Sequence, residues 1–174
     1  MIEARLGFDF FNRDVLDVAP ELVGKMLVRK LDDNTVHRSV ITEVEAYRGV
    51  EDLACHASKG RTPRTDVMFQ RGGLVYVYLI YGMYWMLNFV TGEPDNPQAV
   101  LIRGIDGCYG PGRLTKKLSI GKDFYGEDLI SSNRLWVENG EDSFEIKVSQ
   151  RIGVDYAGEW ALKPWRYYIE EKVK

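Results

Sequence analysis

Two histidines and two cysteines are all that 174 residues supply of the side chains most used to hold transition metals. Cys55 and Cys108 are too few and too far apart for a disulfide framework or a cysteine-rich metal site, and a reducing compartment is expected. With only His37 and His56 in the chain, a multi-histidine site is poorly supplied. There is no apolar run near 18 residues and no cationic start followed by an apolar stretch, so neither a spanning helix nor a secretory signal is expected. A basic surplus is missing too: the net charge is −3, which weighs against a general polyanion binder. Repeats, low-complexity tracts and linkers are absent, and the length suits a single domain over residues 1–174 around one core.

What charge there is falls unevenly. Residues 59–71, KGRTPRTDVMFQR, set Lys59, Arg61, Arg64 and Arg71 against Asp66 alone. Residues 110–122, GPGRLTKKLSIGK, hold Arg113, Lys116, Lys117 and Lys122 with no acid. Two such stretches can form one basic face, or they can be solvated loops.

Hydrophobic periodicity and turn signals set out the elements. DVAPELVG predicts a short helix with Asp17 as N-cap, Pro20 in the first turn and Gly24 as the stop. KMLVRKL, the Asp32-Asp33-Asn34 turn and TVHRSVITEVEAY predict a hairpin with a long second arm. EDLACHA and RTDVMF are short helical candidates. LVYVYLIY and YWMLNFV are strands turning at Gly82, and QAVLIRGI is a further strand. RLTKKLSI predicts a helix, followed by strands at LWVEN, FEIKVSQ and WRYYIE. The expected fold is α+β, a mainly antiparallel curved sheet with short surrounding helices and a protruding β-hairpin.

Two stretches raise chemical questions. In SVITEVEAY a period of two places Ile41, Glu43, Glu45 and Tyr47 on one face and Val40, Thr42, Val44 and Ala46 on the other, which belongs to the core. Two carboxylates then lie about 6.6 Å apart, twice the strand rise. That overlaps the separation of about 6.5 to 9.5 Å used by inverting sugar hydrolases. Alternatively one Glu is a base and its neighbour structural, or both are ordinary surface residues. LVYVYLIYGMYW, residues 74–85, holds four tyrosines and a tryptophan. Such residues suit an ordinary packed strand. They also suit stacking: Tyr76 and Tyr78 share one face of the first arm and Tyr81 sits at the tip, where a ring has no core to enter. A ring so placed can wedge between stacked bases and push a nucleotide out, and aromatic faces can receive it. An aromatic-rich nucleic-acid-binding module without catalysis explains the rings and basic loops but gives Glu45 no role.

TEVEAYRGVEDLACHA, GRTPRTDVMF, YVYLIYGMYWMLN, VLIRGID, YGPGRLTKKLSI and RIGVDYAGEWALKPWRYY together resemble the alkyladenine (3-methyladenine, or methylpurine) DNA glycosylase family. The similarity runs in order from Arg5 to Tyr168. It implies a monofunctional enzyme of base excision repair that binds double-stranded DNA through the minor groove and flips out a damaged purine. The substrates of such enzymes are of the 3-methyladenine, 7-methylguanine, hypoxanthine and ethenoadenine class. The enzyme hydrolyses the N-glycosidic bond with neither a metal nor an organic cofactor. The resemblance assigns Glu45 as the base that activates water, with Arg103 and the carbonyl of Ile152 holding that water. Tyr47, His56 and Tyr78 match the residues that sandwich the base, Asn88 the residue that crowds the guanine amine, and Tyr81 the intercalating ring. Arg61, Arg64, Met83 and Lys117 are expected on the DNA. A monomer is implied, cytoplasmic and nucleoid-associated in a prokaryote or nuclear in a eukaryote, with no membrane partner. The chain departs from the vertebrate form at Trp85-Met86-Leu87 and in TGEPDNPQ, so substrate range does not carry over from larger relatives.

Overall fold

A computed structural model describes residues 4–141 and 143–170. In chain order the elements are α1 (Phe8–Phe11), α2 (Val15–Leu22), β1 (Met26–Lys30) and β2 (Val36–Arg48). Single 3₁₀ turns at His56–Lys59 and Asp66–Phe69 precede the hairpin of β3 (Val75–Ile80) and β4 (Tyr84–Thr91). Next come β5 (Gln98–Ile105), β6 (Cys108–Tyr109), α3 (Pro111–Lys117) and β7 (Leu135–Glu138). The last elements are β8 (Lys147–Ser149), a 3₁₀ segment at Asp155–Leu162 and β9 (Arg166–Tyr168).

Every pairing is antiparallel, and the main path through the curled sheet runs β3-β4-β5-β2-β1-β7. The α+β architecture is as expected, with short helices around the sheet. EDLACHA and RTDVMF form only four-residue 3₁₀ turns, and FEIKVSQ yields a strand of three residues. No helix among the described residues is long and apolar enough to cross a membrane.

The long strand β2 organises the sheet. Its first half pairs with β1; its second half lies between β5 and β9, so that Glu45 is opposite Leu101 on one side and Arg166 on the other. Strand alternation then sorts residues between two faces. Val44 and Ala46 of β2, Val75 and Val77 of β3, Leu87 and Phe89 of β4, and Val100 and Ile102 of β5 join one core. Phe11, Val18 and Leu22 from α1 and α2 close this core from one end and Leu114 and Phe124 from another. Glu45, Tyr47, Tyr76, Tyr78, Asn88 and Arg103 therefore fall on the opposite face.

Two sequence expectations change in detail. Ile41 belongs to the core with Val44 and Ala46 and not to the face of Glu45, because the β2–β5 register shifts between Ile41 and Val44. One extra residue on β2 before Glu43 and one on β5 before Gly104 leave the net register unchanged, but strict alternation from Glu45 does not carry across them to Ile41. The N-cap of α2 is Asp14 rather than Asp17: its side chain accepts from the Leu16 amide at 2.9 Å. Pro20 consequently sits in the second turn, not the first.

Asp14 also pairs with Arg48 at 2.6 Å, tying α2 to the end of β2. Asp14→Ala is expected to cost about 1 to 2 kcal/mol, mostly through the lost cap, and to lower the urea midpoint accordingly. An unchanged midpoint would contradict this assignment.

Candidate active site

The face of the sheet opposite the core opens into a cavity of about 590 Å³. Tyr47 of β2, Tyr76 and Tyr78 of β3, Asn88 of β4 and Arg103 of β5 line it. His56 and Arg64 from the loops after β2, and Ile152 from the loop after β8, complete the wall. Its size is within the range of about 300 to 1,000 Å³ common to small-ligand sites.

Glu45 lies beneath this lining with 0% of its surface exposed. One carboxylate oxygen, Oε1, accepts from the Tyr47 hydroxyl at 2.9 Å, and Oε2 accepts from the Ile152 amide at 2.6 Å. Arg103 Nη1 is 3.6 Å from Oε1. Burial raises the Glu45 pKa above its ordinary value, because a charge is costly away from water. Arg103, the Ile152 amide and the Tyr47 hydroxyl oppose that rise. Tyr47 itself titrates far above its ordinary range, owing first to burial and then to Glu45, so its hydroxyl stays protonated and donates.

Glu43 is not an equivalent second carboxylate. Arg166 Nε donates to it and Arg103 Nε lies 3.7 Å away. Arg103 thus sits between two acids, with its buried Nε lacking a hydrogen-bond partner. Ile152 meets Glu45 through its amide.

The His56 and Tyr78 rings touch at a centroid distance of 4.4 Å, and His56 Nδ1 shares a 2.9 Å hydrogen bond with the Tyr76 hydroxyl. Burial, followed by the nearby charges of Arg64 and Lys59, lowers the His56 pKa to about 4. The imidazole is therefore neutral near pH 7. Burial likewise pushes Tyr78 up to about 12. Asn88 is buried, and its Nδ2 donates to the carbonyl of Tyr76 at 3.2 Å.

At the tip of the β3–β4 hairpin, Tyr81 is 84% exposed. Tyr81 and Gly82 both have positive φ, 54° and 67°, as a mirror-image hairpin turn requires. Glycine adopts this freely, but tyrosine does so at a cost. Met83 beside it is also exposed. The guanidinium of Arg64 lies over the Tyr78 ring, 5.2 Å from its centroid. Lys117 is exposed at the end of α3, a helix that packs under the hairpin where Gly112 meets Tyr84. A Cβ on Gly112 would fall 2.8 Å from that ring. Arg61, half exposed, pairs with Asp66 at 2.6 Å and Asp95 at 3.7 Å.

Two parts of the site went unnoticed in the sequence. Tyr76 orients His56, although only its place on the Tyr78 face pointed to it. A buried pair, Arg151 with Asp52, stands directly behind Ile152 and Tyr47. Its members lie within RIGV and EDLACHA, but nothing local indicates that they meet.

Comparison with known proteins agrees with this geometry. A model of the family described as Methylpurine-DNA glycosylase (MPG) matches residues 9–108 and 105–173. A protein of Desulfitobacterium hafniense is 40% identical over 195 aligned positions that cover 96% of each chain. One from Methanocella arvoryzae is 46% identical, covering 92% of this chain and 90% of its own. One from Borreliella burgdorferi is 42% identical, covering 93% and 94%. All three carry the provisional name 3-methyladenine DNA glycosylase. The chain belongs to the methylpurine-DNA glycosylase family, whose members are hydrolases acting on the N-glycosyl bonds of DNA.

Proposed function

We propose that the protein removes alkylated or deaminated purines from double-stranded DNA by flipping the damaged nucleotide into the cavity and hydrolysing its N-glycosidic bond with water activated by Glu45. The 3-methyladenine, 7-methylguanine, hypoxanthine and ethenoadenine class is its substrate range. The observation that carries this reading is the sealed carboxylate at the base of an aromatic cavity of nucleobase dimensions. A module that merely stacked bases would gain nothing from burying that charge. DNA is the partner, a monomer suffices, and a prokaryotic member acts at the nucleoid.

In the reaction the bond between the sugar and the purine breaks with its electron pair leaving on the base, while the sugar becomes cationic. Glu45 takes a proton from water as the oxygen bonds to the anomeric carbon, and its negative charge favours the developing cation. Arg103 Nη1 is too far from Glu45 for a direct hydrogen bond but within reach of a bridging water. Tyr81 fills the gap left in the duplex, with Met83 beside it, while Arg64 and Lys117 meet phosphates. Arg61, already held by two carboxylates, contributes less to this face. Tyr47, Tyr78 and His56 stack on the base, and Asn88 crowds the amine of guanine. The neutral His56 can offer its Nε2 as donor or acceptor, because the Tyr76 hydroxyl at Nδ1 can serve in either sense. Methylated purines are already cationic and leave readily; hypoxanthine and ethenoadenine rely more on such contacts.

Glu45→Gln is expected to lower single-turnover excision of hypoxanthine by at least about 10²-fold while binding of the damaged duplex is retained. It should not lower Tm. The folded pKa of Glu45 is raised, so its contribution to stability is present at low pH and lost as pH rises through that pKa. At neutral pH the amide removes this cost, each kcal/mol recovered appearing as about 2 to 4 °C in Tm. Equal loss of excision and binding would reject Glu45 as the base.

Tyr81→Gly should relieve the left-handed backbone, worth roughly 1 to 2 kcal/mol, yet slow excision of neutral lesions. A variant that excises at the parental rate would rule out the wedge. For His56, NMR titration of the ring should give a midpoint of about 4; a midpoint near the ordinary 6.5 would contradict the neutral wall.

A further inference from the structure

We propose that the buried pair Arg151–Asp52 is a positioning device that seats the Ile152 amide and the Tyr47 ring against the Glu45 carboxylate. This deepens the reading of Glu45 as the base and rests on it.

The pair has no solvent exposure on either side chain. Two parallel bonds join it, Nη1 to Asp52 Oδ2 at 2.6 Å and Nη2 to Asp52 Oδ1 at 3.0 Å. The second N–H of Nη1 reaches the Ala46 carbonyl at 3.0 Å and that of Nη2 the Trp160 carbonyl at 2.9 Å, while the buried Nε has no partner. Its guanidinium also lies 4.9 Å from the ring centroids of both Tyr47 and Trp165. Asp52 in turn accepts from the amides of Arg48 and Ala54, each at 3.0 Å. One ion pair thereby joins β2 on both sides of Tyr47, the loop leading to His56 and the segment that carries Ile152.

Apolar packing would hold these parts more simply, since a buried ion pair is a weak source of stability. What the pair supplies is direction: a fork of fixed geometry. Ile152 needs it, because its own side chain is half exposed and anchors little. Its amide nonetheless meets Glu45 Oε2 at 2.6 Å.

Loosening the pair withdraws two donors, the Ile152 amide and the Tyr47 hydroxyl, that hold Glu45 ionised against its burial. The charged and titratable groups facing Glu45 are Glu43 and Tyr47 on β2, Arg103 on β5, Tyr78 on β3 and Tyr156 after β8, with the Arg151–Asp52 pair behind Tyr47. Arg166 of β9, opposite Glu45 in register, is held by Glu43. Asp52→Asn separates positioning from simple charge. Removing a negative neighbour by charge alone favours an ionised Glu45, moving the acid limb of the pH–rate profile to lower pH. Loss of positioning moves it to higher pH.

The test is single-turnover excision of hypoxanthine from a duplex across pH for the parent, Asp52→Asn and Arg151→Lys, which keeps the cation but not the fork. Both variants should move the acid limb upward by about one pH unit, a tenfold loss on the limb, and recover to within about threefold of the parent on the alkaline plateau. A limb that stays, moves to lower pH, or falls by one factor at every pH overturns the proposal. In the unmodified protein the Ile152 amide should exchange with solvent as slowly as the amides of β2, and fast exchange overturns the proposal without any variant. Glu45→Gln is run alongside. If it still excises, the reading of Glu45 as the base fails; if it is inactive while both limbs stay parental, only the positioning role fails.

Discussion

A carboxylate without solvent must be stabilised by whatever surrounds it, and the site of this protein is arranged around that requirement. Glu45 is fixed by a strand paired on both edges, opposite Leu101 and Arg166, so its backbone has little freedom. Its oxygens then find two hydrogen-bond donors from different parts of the chain, the Tyr47 hydroxyl and the Ile152 amide, with Arg103 beyond them. Desolvation pushes the group toward its neutral form and these donors push back. A carboxylate in that balance is a stronger proton acceptor than an exposed glutamate, and the proposed chemistry requires its ionised form.

Around this centre the aromatic residues take two different positions. Tyr76 and Tyr78 alternate with Val75 and Val77 along β3, so the same strand feeds the core from one side and the cavity from the other. Tyr81 stands exposed at the cavity's rim. Its exposure and its left-handed backbone are each unfavourable for an isolated protein, and they become intelligible when the ring is buried within a stacked duplex. In the proposed reaction the strain would fall at the point of contact with DNA and the buried charge at the point of chemistry.

Much of this was legible in the sequence because alternation is a local property. LVYVYLIY announces a strand whose Tyr76 and Tyr78 share one face, as observed, and residues 84–90 and 98–105 fall in strands as expected. The paired irregularities around Glu43 were not legible, since they leave no mark on composition and appear only through pairing with β5. The α2 cap was expected at Asp17, but Asp14, a like residue three positions earlier, takes it, and its pairing with Arg48 accompanies the outcome. Among site residues, Glu45 and Tyr47 share one face of β2 as alternation predicts, while nothing in RIGV signals that the Ile152 amide turns to Glu45. Arg151 and Asp52 are 99 positions apart, and no local pattern marks a partner at that distance.

The central claim is that an ionised Glu45 drives water onto the sugar. Its most direct test compares two titrations of the unmodified protein: the carboxyl carbon of Glu45 followed by NMR, and the acid limb of single-turnover hypoxanthine excision. The account predicts one shared midpoint, above the ordinary glutamate value of 4.5. Excision that proceeds undiminished at pH values where the Glu45 signal reports a protonated carboxyl would contradict it.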